Sequence, residues 1–237
     1  MGRERPRERL ERASVLVVGA GGLGCPVLTA LAEAGVGRIG IMDGDVVERS
    51  NLNRQYLYTP SDIGKRKAAC AGAWLQRFRP DIEFEISGRN VADPGRMGKE
   101  IASSFDLVIC AVDKVKTRLL INRLAKEAGK PLIDGAIDGH YGTVTAVTAR
   151  QDPCLACMNP QGERTLTYGQ IPWEPLRQIV GALRPKLAVA YLAGQERKEA
   201  ACCLRWNLME PWRKSPRFEQ SFMSDMWSSM TVKLTNY

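Results

Sequence analysis

Residues 14–24 read Ser-Val-Leu-Val-Val-Gly-Ala-Gly-Gly-Leu-Gly, and this short stretch decides the fold. The apolar, largely β-branched run Ser14–Val18 predicts a strand, and the apolar segment Leu23–Ala34 predicts a helix directly after the glycines. A glycine-rich turn that leaves a strand and opens a helix is the structural setting of a Gly-x-Gly-x-x-Gly phosphate loop. The sequence therefore predicts a phosphate-binding turn at the beginning of a nucleotide-binding unit.

The glycines of this turn have distinct physical reasons to be there. Gly19 allows the tight turn, Gly21 lets the backbone approach a phosphate, and Gly24 lets the helix pack on the strand. The N-terminus of the helix also presents unpaired N–H groups to an anion. Asp43 follows the second predicted strand, where a carboxylate commonly accepts hydrogen bonds from the two ribose hydroxyls of a nucleotide. These features predict a ribose-phosphate ligand, but they do not separate ATP from NAD.

Strands alternate with helices over residues 13–150. The predicted strands are 14–18, 38–42, 82–86, 107–112, 131–136 and 143–148, and the predicted helices are 23–34, 64–78 and 115–128. This alternation predicts an α/β nucleotide-binding core with a doubly wound, mostly parallel, Rossmann-like sheet that helices cover on both faces.

The rest of the chain is expected to extend this core, so that residues 1–237 form a single domain. Residues 151–172 are rich in proline, glycine, asparagine and glutamine, and they predict a long loop. Residues 173–237 predict a C-terminal helical and strand extension. Its expected helices are Trp173–Leu183 and Lys186–Gln195, each with a proline near its start, and its candidate strands are Leu204–Leu208 and Thr231–Leu234.

Three further motifs decide the class of protein. Residues 50–55 read Ser-Asn-Leu-Asn-Arg-Gln, residues 64–67 read Gly-Lys-Arg-Lys, and Asp113 follows an apolar strand. In this order, after the glycine turn and Asp43, these motifs resemble the ThiF/MoeB/HesA family, which is related to ubiquitin-activating enzymes. The resemblance covers roughly residues 10–157, and it implies an enzyme that uses ATP to adenylate a carboxylate.

The chemistry of these side chains is consistent with that role. Arg54 offers a planar fork of donors and Lys67 a compact cation, a pair suited to triphosphate charge. Asp113, at the carboxyl end of a parallel strand, can hold a magnesium ion that bridges phosphate oxygens. The resemblance assigns the ribose to Asp43. It assigns the phosphates to Asn51, Arg54 and Lys67. The expected catalytic residues are Arg54, Lys67 and Asp113, and the expected nucleotide-binding residues are Gly19, Gly21, Gly22, Gly24, Asp43, Asp45, Asn51, Arg54, Gln55 and Lys67.

The acyl substrate follows from the resemblance rather than from any residue pattern. The leading hypothesis is the C-terminal glycine of a small β-grasp, ubiquitin-like sulfur carrier that ends in Gly-Gly. Two alternatives stay open: a divergent member that adenylates a peptide or another acid, and a non-catalytic binding partner. An NAD-dependent oxidoreductase is a more distant alternative, because that chemistry does not require residues 50–55 or Lys67. The family also implies a homodimer, and the apolar helices between residues 173 and 195 suit a pairing surface.

The cysteines predict half of a zinc site. Cys154 and Cys157 have the two-residue spacing that lets two thiolates bind one tetrahedral zinc ion. Members of the family that bind zinc carry a second such pair near the C-terminus, whereas this chain offers the adjacent Cys202 and Cys203. Neighbours on a strand point to opposite faces, so zinc stays an open question, and we expect less than one zinc ion per two chains. Residues 158–172 hold no cysteine, and the reaction is therefore expected to stop at the adenylate or to leave sulfur transfer to another protein.

Charge and composition narrow the partners. A net charge of +8 suits an anionic ligand, but no interleaving of basic and aromatic residues indicates nucleic-acid binding. No apolar run reaches the roughly 18 residues of a membrane span, and the N-terminal stretch lacks the apolar segment of a signal peptide, so we expect a cytoplasmic protein without membrane contact. The usual N-terminal arginine motif of the family is absent, and Arg5, Arg7 or Arg9 are candidates to replace it toward a partner subunit's nucleotide.

Overall fold

The computed structural model describes residues 5–87, 105–138, 141–148, 152–158, 174–194 and 201–207. The strands are β1 (Ser14–Val18), β2 (Arg38–Met42), β3 (Glu83–Ser87), β4 (Leu107–Cys110), β5 (Leu132–Asp138), β6 (Tyr141–Val147) and β7 (Ala201–Asn207). The helices are α1 (Pro6–Arg12), α2 (Gly24–Glu33), α3 (Lys67–Phe78), α4 (Val115–Glu127), α5 (Leu155–Met158) and α6 (Glu174–Leu192). Two short 3₁₀ turns span Arg49–Asn51 and Pro60–Asp62.

These strands form one seven-stranded sheet in the order β3-β2-β1-β4-β5-β6-β7. Strands β1 to β5 run parallel, and β6 and β7 add antiparallel strands at one edge. From β3 at the far edge the chain returns to β4 on the other side of β1, so the strand order reverses between β1 and β4. Ligands of open α/β sheets bind in the crevice at such a switch point, beyond the carboxyl ends of the strands. The predicted doubly wound, mostly parallel sheet is confirmed.

Both faces of the sheet are covered, which explains why its central strands are apolar throughout. Val15 and Val17 of β1 pack in the larger core cluster with α2, α3 and α6. Leu16 and Val18 alternate to the other face, where they pack in the smaller cluster with α4. A strand buried on both faces needs this continuous apolar run, because successive side chains point to opposite sides.

Helix α6 corrects one expectation about the C-terminal region. It is one continuous helix with Pro185 inside it, rather than two helices that meet near this residue. Proline removes one helical hydrogen bond, but α6 packs against α2, β5 and β6, and this packing outweighs the loss. The same packing buries much of the apolar surface of α6, with Val180 and Leu187 in the core, while Ile179 stays 42% exposed.

Other boundaries shift by a few residues. Helix α3 begins at Lys67 rather than at Gly64, which lies in a turn with a φ of +84°. Strand β7 begins earlier than the expected 204–208, and α5 interrupts the expected loop 151–172. The expected strand 231–234 lies outside the described residues. In the part of the chain that the structure describes, no helix is both long and apolar enough to cross a membrane.

Candidate active site

The glycine turn joins β1 to α2 as predicted. Gly19 adopts a φ of +101°, and its N–H donates to the carbonyl of Met42 at 2.8 Å. A Cβ atom at this position would lie 2.6 Å from the carbonyl oxygen of Ala111, and one at Gly24 would collide with the carbonyl of Gly19. Only glycine therefore lets the turn sit against the end of β4 while α2 starts directly above it.

Two side chains that sequence analysis missed bind this turn on the side away from the crevice. The buried hydroxyl of Tyr58 donates to the carbonyl of Ala20 at 2.6 Å, and Nη2 of Arg184 donates to the carbonyl of Leu23 at 2.6 Å. Burial raises the pKa of Tyr58 well above its usual value, so its hydroxyl stays a donor at neutral pH. A single tyrosine in a loop carries no pattern that marks it for this task.

Asp43 lies at the carboxyl end of β2 and is 6% exposed. Its Oδ2 accepts the N–H of Ala20 at 2.7 Å, and its Oδ1 accepts the N–H of Asp45 at 2.8 Å. Burial raises the pKa of Asp43, although these two hydrogen bonds oppose the rise. The carboxylate is thus fixed in orientation beside the glycine turn, and its remaining lone pairs can accept ribose hydroxyls.

Lys67 is the first residue of α3 and reaches back to the loop after β2. Its Nζ lies 3.2 Å from Oδ2 of Asp45, and its N–H donates to the carbonyl of the same residue at 3.0 Å. The Lys67 side chain is 8% exposed, whereas that of Asp45 is 77% exposed. Asp45, expected as a nucleotide ligand, is therefore the counter-ion of Lys67 in this structure.

The stretch 50–55 forms a compact series of turns. Asn51 is buried, and its Oδ1 accepts the N–H of Glu48 at 3.1 Å, so it caps its own turn. Nη1 of Arg54 donates to the carbonyl of Ser50 at 2.6 Å, and this hydrogen bond holds the arginine side chain along the cavity. Gln55 is also buried, and its Oε1 is the buried side-chain polar atom that lacks a hydrogen-bond partner among the described residues.

Asp113 lies just beyond β4. The N–H of Ala111 donates to the carbonyl of Val18 at 2.7 Å, which extends the pairing of β4 with β1 up to the crevice. The exposed carboxylate of Asp113 therefore faces the same crevice as the glycine turn. Below it, Arg118 of α4 forms a buried two-pronged ion pair with Asp134 of β5, which ties α4 to the sheet.

These elements enclose one cavity of about 710 Å³, a volume within the range of small-molecule sites. Nearly all the predicted nucleotide-binding and catalytic residues line it; the exception is Gly24, which lies behind the turn and has a packing role. The predicted residues that line the cavity are Gly19, Gly21, Gly22, Asp43, Asp45, Asn51, Arg54, Gln55, Lys67 and Asp113. The lining residues that sequence analysis did not single out as ligands include Arg66, Lys114, Thr117 and Arg177.

A second buried arginine supports the cavity from outside. Arg184 of α6 is fully buried, and its guanidinium donates to the carbonyls of Cys110 at 2.8 Å and of Leu23 at 2.6 Å. Gly135 of β5 leaves room for it, because a Cβ there would lie 2.7 Å from Cδ of the arginine. Burial lowers the pKa of Arg184 to about 10, and the nearby Asp134 opposes this effect, so the side chain stays charged at neutral pH.

The expected zinc ligands lie away from this cavity. Sγ of Cys154 and Sγ of Cys157 are 3.5 Å apart, close to the roughly 3.8 Å that two 2.3 Å bonds to one tetrahedral zinc would give. Burial raises the pKa of Cys154, but hydrogen bonds from Asn122 and from backbone N–H groups outweigh it and lower the pKa to about 7. The described residues contain no group of three or more His, Cys, Asp or Glu that could hold a metal. Cys202 and Cys203 lie on β7, where they pair with Ala146 and Thr145 near the C-terminal end of β6. The chain continues from this end of β6 to Cys154 and Cys157.

The N-terminal arginines are engaged within the chain. On α1, Arg5 pairs with Glu8 at 2.6 Å and Arg7 with Glu11 at 2.8 Å, both at exposed positions. The guanidinium of Arg9 packs against Gly194, just after α6. None of these three residues lines the cavity of its own chain.

Comparisons with known proteins identify the family of the chain. The sequence profile of the ThiF family matches residues 2–221. The chain is 38% identical over 216 residues to a sulfur carrier protein adenylyltransferase of Thermus thermophilus, which covers 86% of this chain and 78% of that protein. It is 40% identical over 175 residues to the SAMP-activating enzyme E1 of Haloferax volcanii, which covers 74% of this chain and 63% of that protein. It is also 40% identical over 157 residues to the adenylyltransferase and sulfurtransferase MOCS3 of Mus musculus, of which it spans 34%.

Solved structures with the same fold are more distant in sequence. A crystal structure of E. coli MccB with ATP matches with a TM-score of 0.71 at 18% identity, covering 86% of this chain and 66% of that one. A crystal structure of PaaA matches with a TM-score of 0.64 at 22% identity, covering 86% of this chain and 64% of that one. At these identities the likeness concerns the fold.

Proposed function

The chain belongs to the ThiF family, and on that premise we propose that it adenylates the C-terminal carboxylate of a small ubiquitin-like sulfur carrier with ATP. The names of its relatives support an adenylyltransferase, and the sulfur-carrier enzyme of Thermus thermophilus supports the class of substrate. The observation that carries the proposal is one cavity that combines the glycine turn, Asp43, Lys67 and Asp113. A dehydrogenase would need the first two features but has no use for the last two.

Binding of ATP in this cavity would follow the chemistry of its walls. Asp43 is fixed by two backbone N–H donors and accepts the ribose hydroxyls. The backbone of Gly21 and Gly22, at the N-terminus of α2, receives phosphate oxygens. Arg54, whose stem lies beside Gly22, and Lys67 also line the cavity and would offer charge-assisted hydrogen bonds to phosphate.

The reaction itself is attack of a substrate carboxylate oxygen on the α-phosphorus of ATP. The new bond joins the acyl oxygen to phosphorus, the bond to the bridging oxygen of pyrophosphate breaks, and pyrophosphate carries away the electron pair. Negative charge on the leaving group grows during this step. Lys67 is placed to stabilise that growing charge, because its ammonium is buried and held by a single carboxylate partner, Asp45.

The residues present also fit a magnesium ion. Asp113 offers an exposed carboxylate to the cavity, and carboxylate oxygens are ligands that magnesium prefers. When bound, magnesium supplies neutralisation of phosphate charge. Asp113 would hold it, while the buried ion pair of Arg118 and Asp134 keeps the start of α4 in place beside Asp113.

A homodimer is part of the proposal and rests on the resemblance to the family. Light scattering at micromolar concentration should then give twice 26.2 kDa. A strictly monomeric but active protein would contradict this part of the proposal and leave the adenylation chemistry standing.

ATP–pyrophosphate exchange tests the proposed activity. We expect the purified chain to catalyse exchange when a sulfur carrier ending in Gly-Gly is present, and not when its terminal glycine is deleted. Titration with NAD serves as a control for nucleotide class. Binding of NAD without binding of ATP would overturn the proposal, whereas exchange with a short peptide but with no carrier would keep the adenylation and replace the substrate.

A further inference from the structure

Helix α6 presents one face to the nucleotide cavity, and that face carries two arginines. Arg177 and Arg184 are seven residues apart, which is about two helical turns and places them on the same side of the helix. Between them lie Val180, fully buried in the core, and Gly181. At Gly181 a Cβ would collide with the ring of Pro26 on α2, so the two helices approach each other closely along this face.

Arg184 fixes the rotation of this helix about its axis. Its guanidinium donates to the carbonyls of Leu23 and Cys110, at the start of α2 and the end of β4. Because these contacts are buried, they determine which side of α6 faces the turn. A residue two turns earlier on the same side therefore lies over the glycine turn.

Arg177 occupies that position. A Cβ placed on Gly22 would lie 3.0 Å from Cδ and 3.7 Å from Nε of Arg177, and 3.5 Å from Cγ of Arg54. The two arginine stems thus flank the same glycine, and both line the cavity. Gly22 belongs to the part of the turn at the N-terminus of α2, where phosphate oxygens bind.

The charge of the cavity supports a role for this arginine toward an anion. Five cationic side chains and four carboxylates line the cavity. Without Arg177 the positive and negative side chains of the lining would be equal in number, which is a weak environment for a triphosphate.

We propose that Arg177 binds the phosphate groups of ATP, in the same chain whose glycine turn holds them. This inference rests on the proposed function, because it assigns a ligand to the same cavity. Arginine suits the task, since its guanidinium is always charged and presents a planar fork to phosphate oxygens. It would give the site an arginine from α6 of its own chain, independent of any residue from a partner subunit.

The experiment compares the affinities of ATP and adenosine by isothermal titration. Arg177→Ala should weaken ATP binding about tenfold and leave adenosine binding within about twofold of wild type, because adenosine lacks the phosphates. Arg177→Lys keeps a point charge and should recover part of the loss. Lys186→Ala is the matched control, since it removes one positive charge from an exposed position of the same helix and should change neither affinity.

Two results would overturn the inference. One is a folded Arg177→Ala protein that binds ATP like wild type, including the case in which only its KM for the carrier rises. The other is a parallel loss of ATP and adenosine, which would make the residue structural. If the alanine variant does not fold, Arg177→Gln keeps most of the stem and must show the same selective loss. A wild-type protein that binds no ATP would refute the proposed function itself, so the two failures are distinguishable.

Discussion

The Nη2 atom of Arg184 lies 2.6 Å from the carbonyl oxygen of Leu23, and Nη1 of the same guanidinium lies 2.8 Å from the carbonyl oxygen of Cys110. One side chain from α6 thus joins the end of β4 to the start of α2, the helix that follows β1, and the strand order reverses between β1 and β4. The crevice of this fold is normally formed by elements of the nucleotide-binding core. Here a residue far along the chain also donates hydrogen bonds to the backbone at this crevice.

Removing this guanidinium should lower stability more than an average core substitution. Arg184→Met should reduce the free energy of unfolding by about 3 kcal/mol, because two buried carbonyls lose their donors and Asp134 loses a nearby positive charge. Urea unfolding measures the change. Lys186→Met, at an exposed position of the same helix, should stay within about 0.5 kcal/mol of wild type. An equal effect of both substitutions would show that Arg184 contributes only as a helix residue.

Asp113 should be required for catalysis but not for folding. We expect Asp113→Ala to abolish ATP–pyrophosphate exchange while changing the free energy of unfolding by less than about 0.5 kcal/mol, because its carboxylate is exposed. Glu33→Ala, which removes an exposed carboxylate at the far end of α2, should retain full exchange. Near-normal exchange in folded Asp113→Ala would remove this residue from the mechanism.

The ion pair between Lys67 and Asp45 predicts opposite effects for its two members. Lys67→Ala should raise the KM for ATP and lower kcat together, with a loss in kcat/KM of about 100-fold, because the phosphate charge that it meets grows as pyrophosphate leaves. Asp45→Ala releases the ammonium and should not weaken ATP binding. Steady-state kinetics of both variants provide the check, and a loss of ATP affinity in Asp45→Ala would instead support its originally expected role as a ligand.

Binding of ATP should depend on the charge of Asp43. Burial raises the pKa of this carboxyl, so its ionised form is complete only above that raised value. Affinity for ATP should therefore be full near neutral pH and fall as pH drops through the raised pKa. Titrations between about pH 4.5 and 7.5 test this expectation, with 2′,3′-dideoxy-ATP as the matched ligand that lacks the hydroxyls. Equal pH dependence for both nucleotides would contradict the assignment of the ribose to Asp43.

The same shift predicts the sign of a stability effect. Because the folded state binds the proton of Asp43 more tightly than the unfolded state, this residue contributes most favourably at low pH. That contribution is lost as pH rises from the unfolded pKa through the raised folded pKa. Nucleotide binding and this part of the stability should thus change in opposite directions with pH. Urea unfolding of the wild type and of Asp43→Asn, each at several pH values, isolates the effect.

Zinc content is the remaining test. A structural site stabilises a fold when all four ligand positions are filled, and two thiols, Cys154 and Cys157, are placed together by the described residues. We expect purified protein to carry substoichiometric zinc, and chelator to leave Tm unchanged. Elemental analysis and thermal melts with and without chelator provide the measurement. Stoichiometric zinc that is lost in Cys154→Ser, together with a lower Tm, would instead mean that Cys202 or Cys203 completes the site.

Much of this site follows from local sequence. The glycine turn and Asp43 are predictable because each stands at the end of a strand, whereas the role of Lys67 is implied by the family resemblance. Arg177 and Arg184 are not predictable in that way, since an arginine on a helix usually faces solvent, and only tertiary packing determines which side is buried. One signal was available: Arg184 shares the spacing of the apolar residues Val180 and Leu187, which places it on the buried side.

The conformation of the glycine turn is also fixed before the nucleotide binds. Tyr58 and Arg184 hold the carbonyls of Ala20 and Leu23 on the side away from the cavity, and in a trans peptide the N–H that follows a carbonyl points the opposite way. The peptide between Ala20 and Gly21 is therefore unable to rotate its oxygen toward an incoming phosphate without breaking a buried hydrogen bond. The turn therefore loses its conformational entropy when the chain folds, and this loss does not weaken the binding of the nucleotide. Tyr58 and Arg184 therefore contribute to nucleotide affinity although neither side chain lines the cavity.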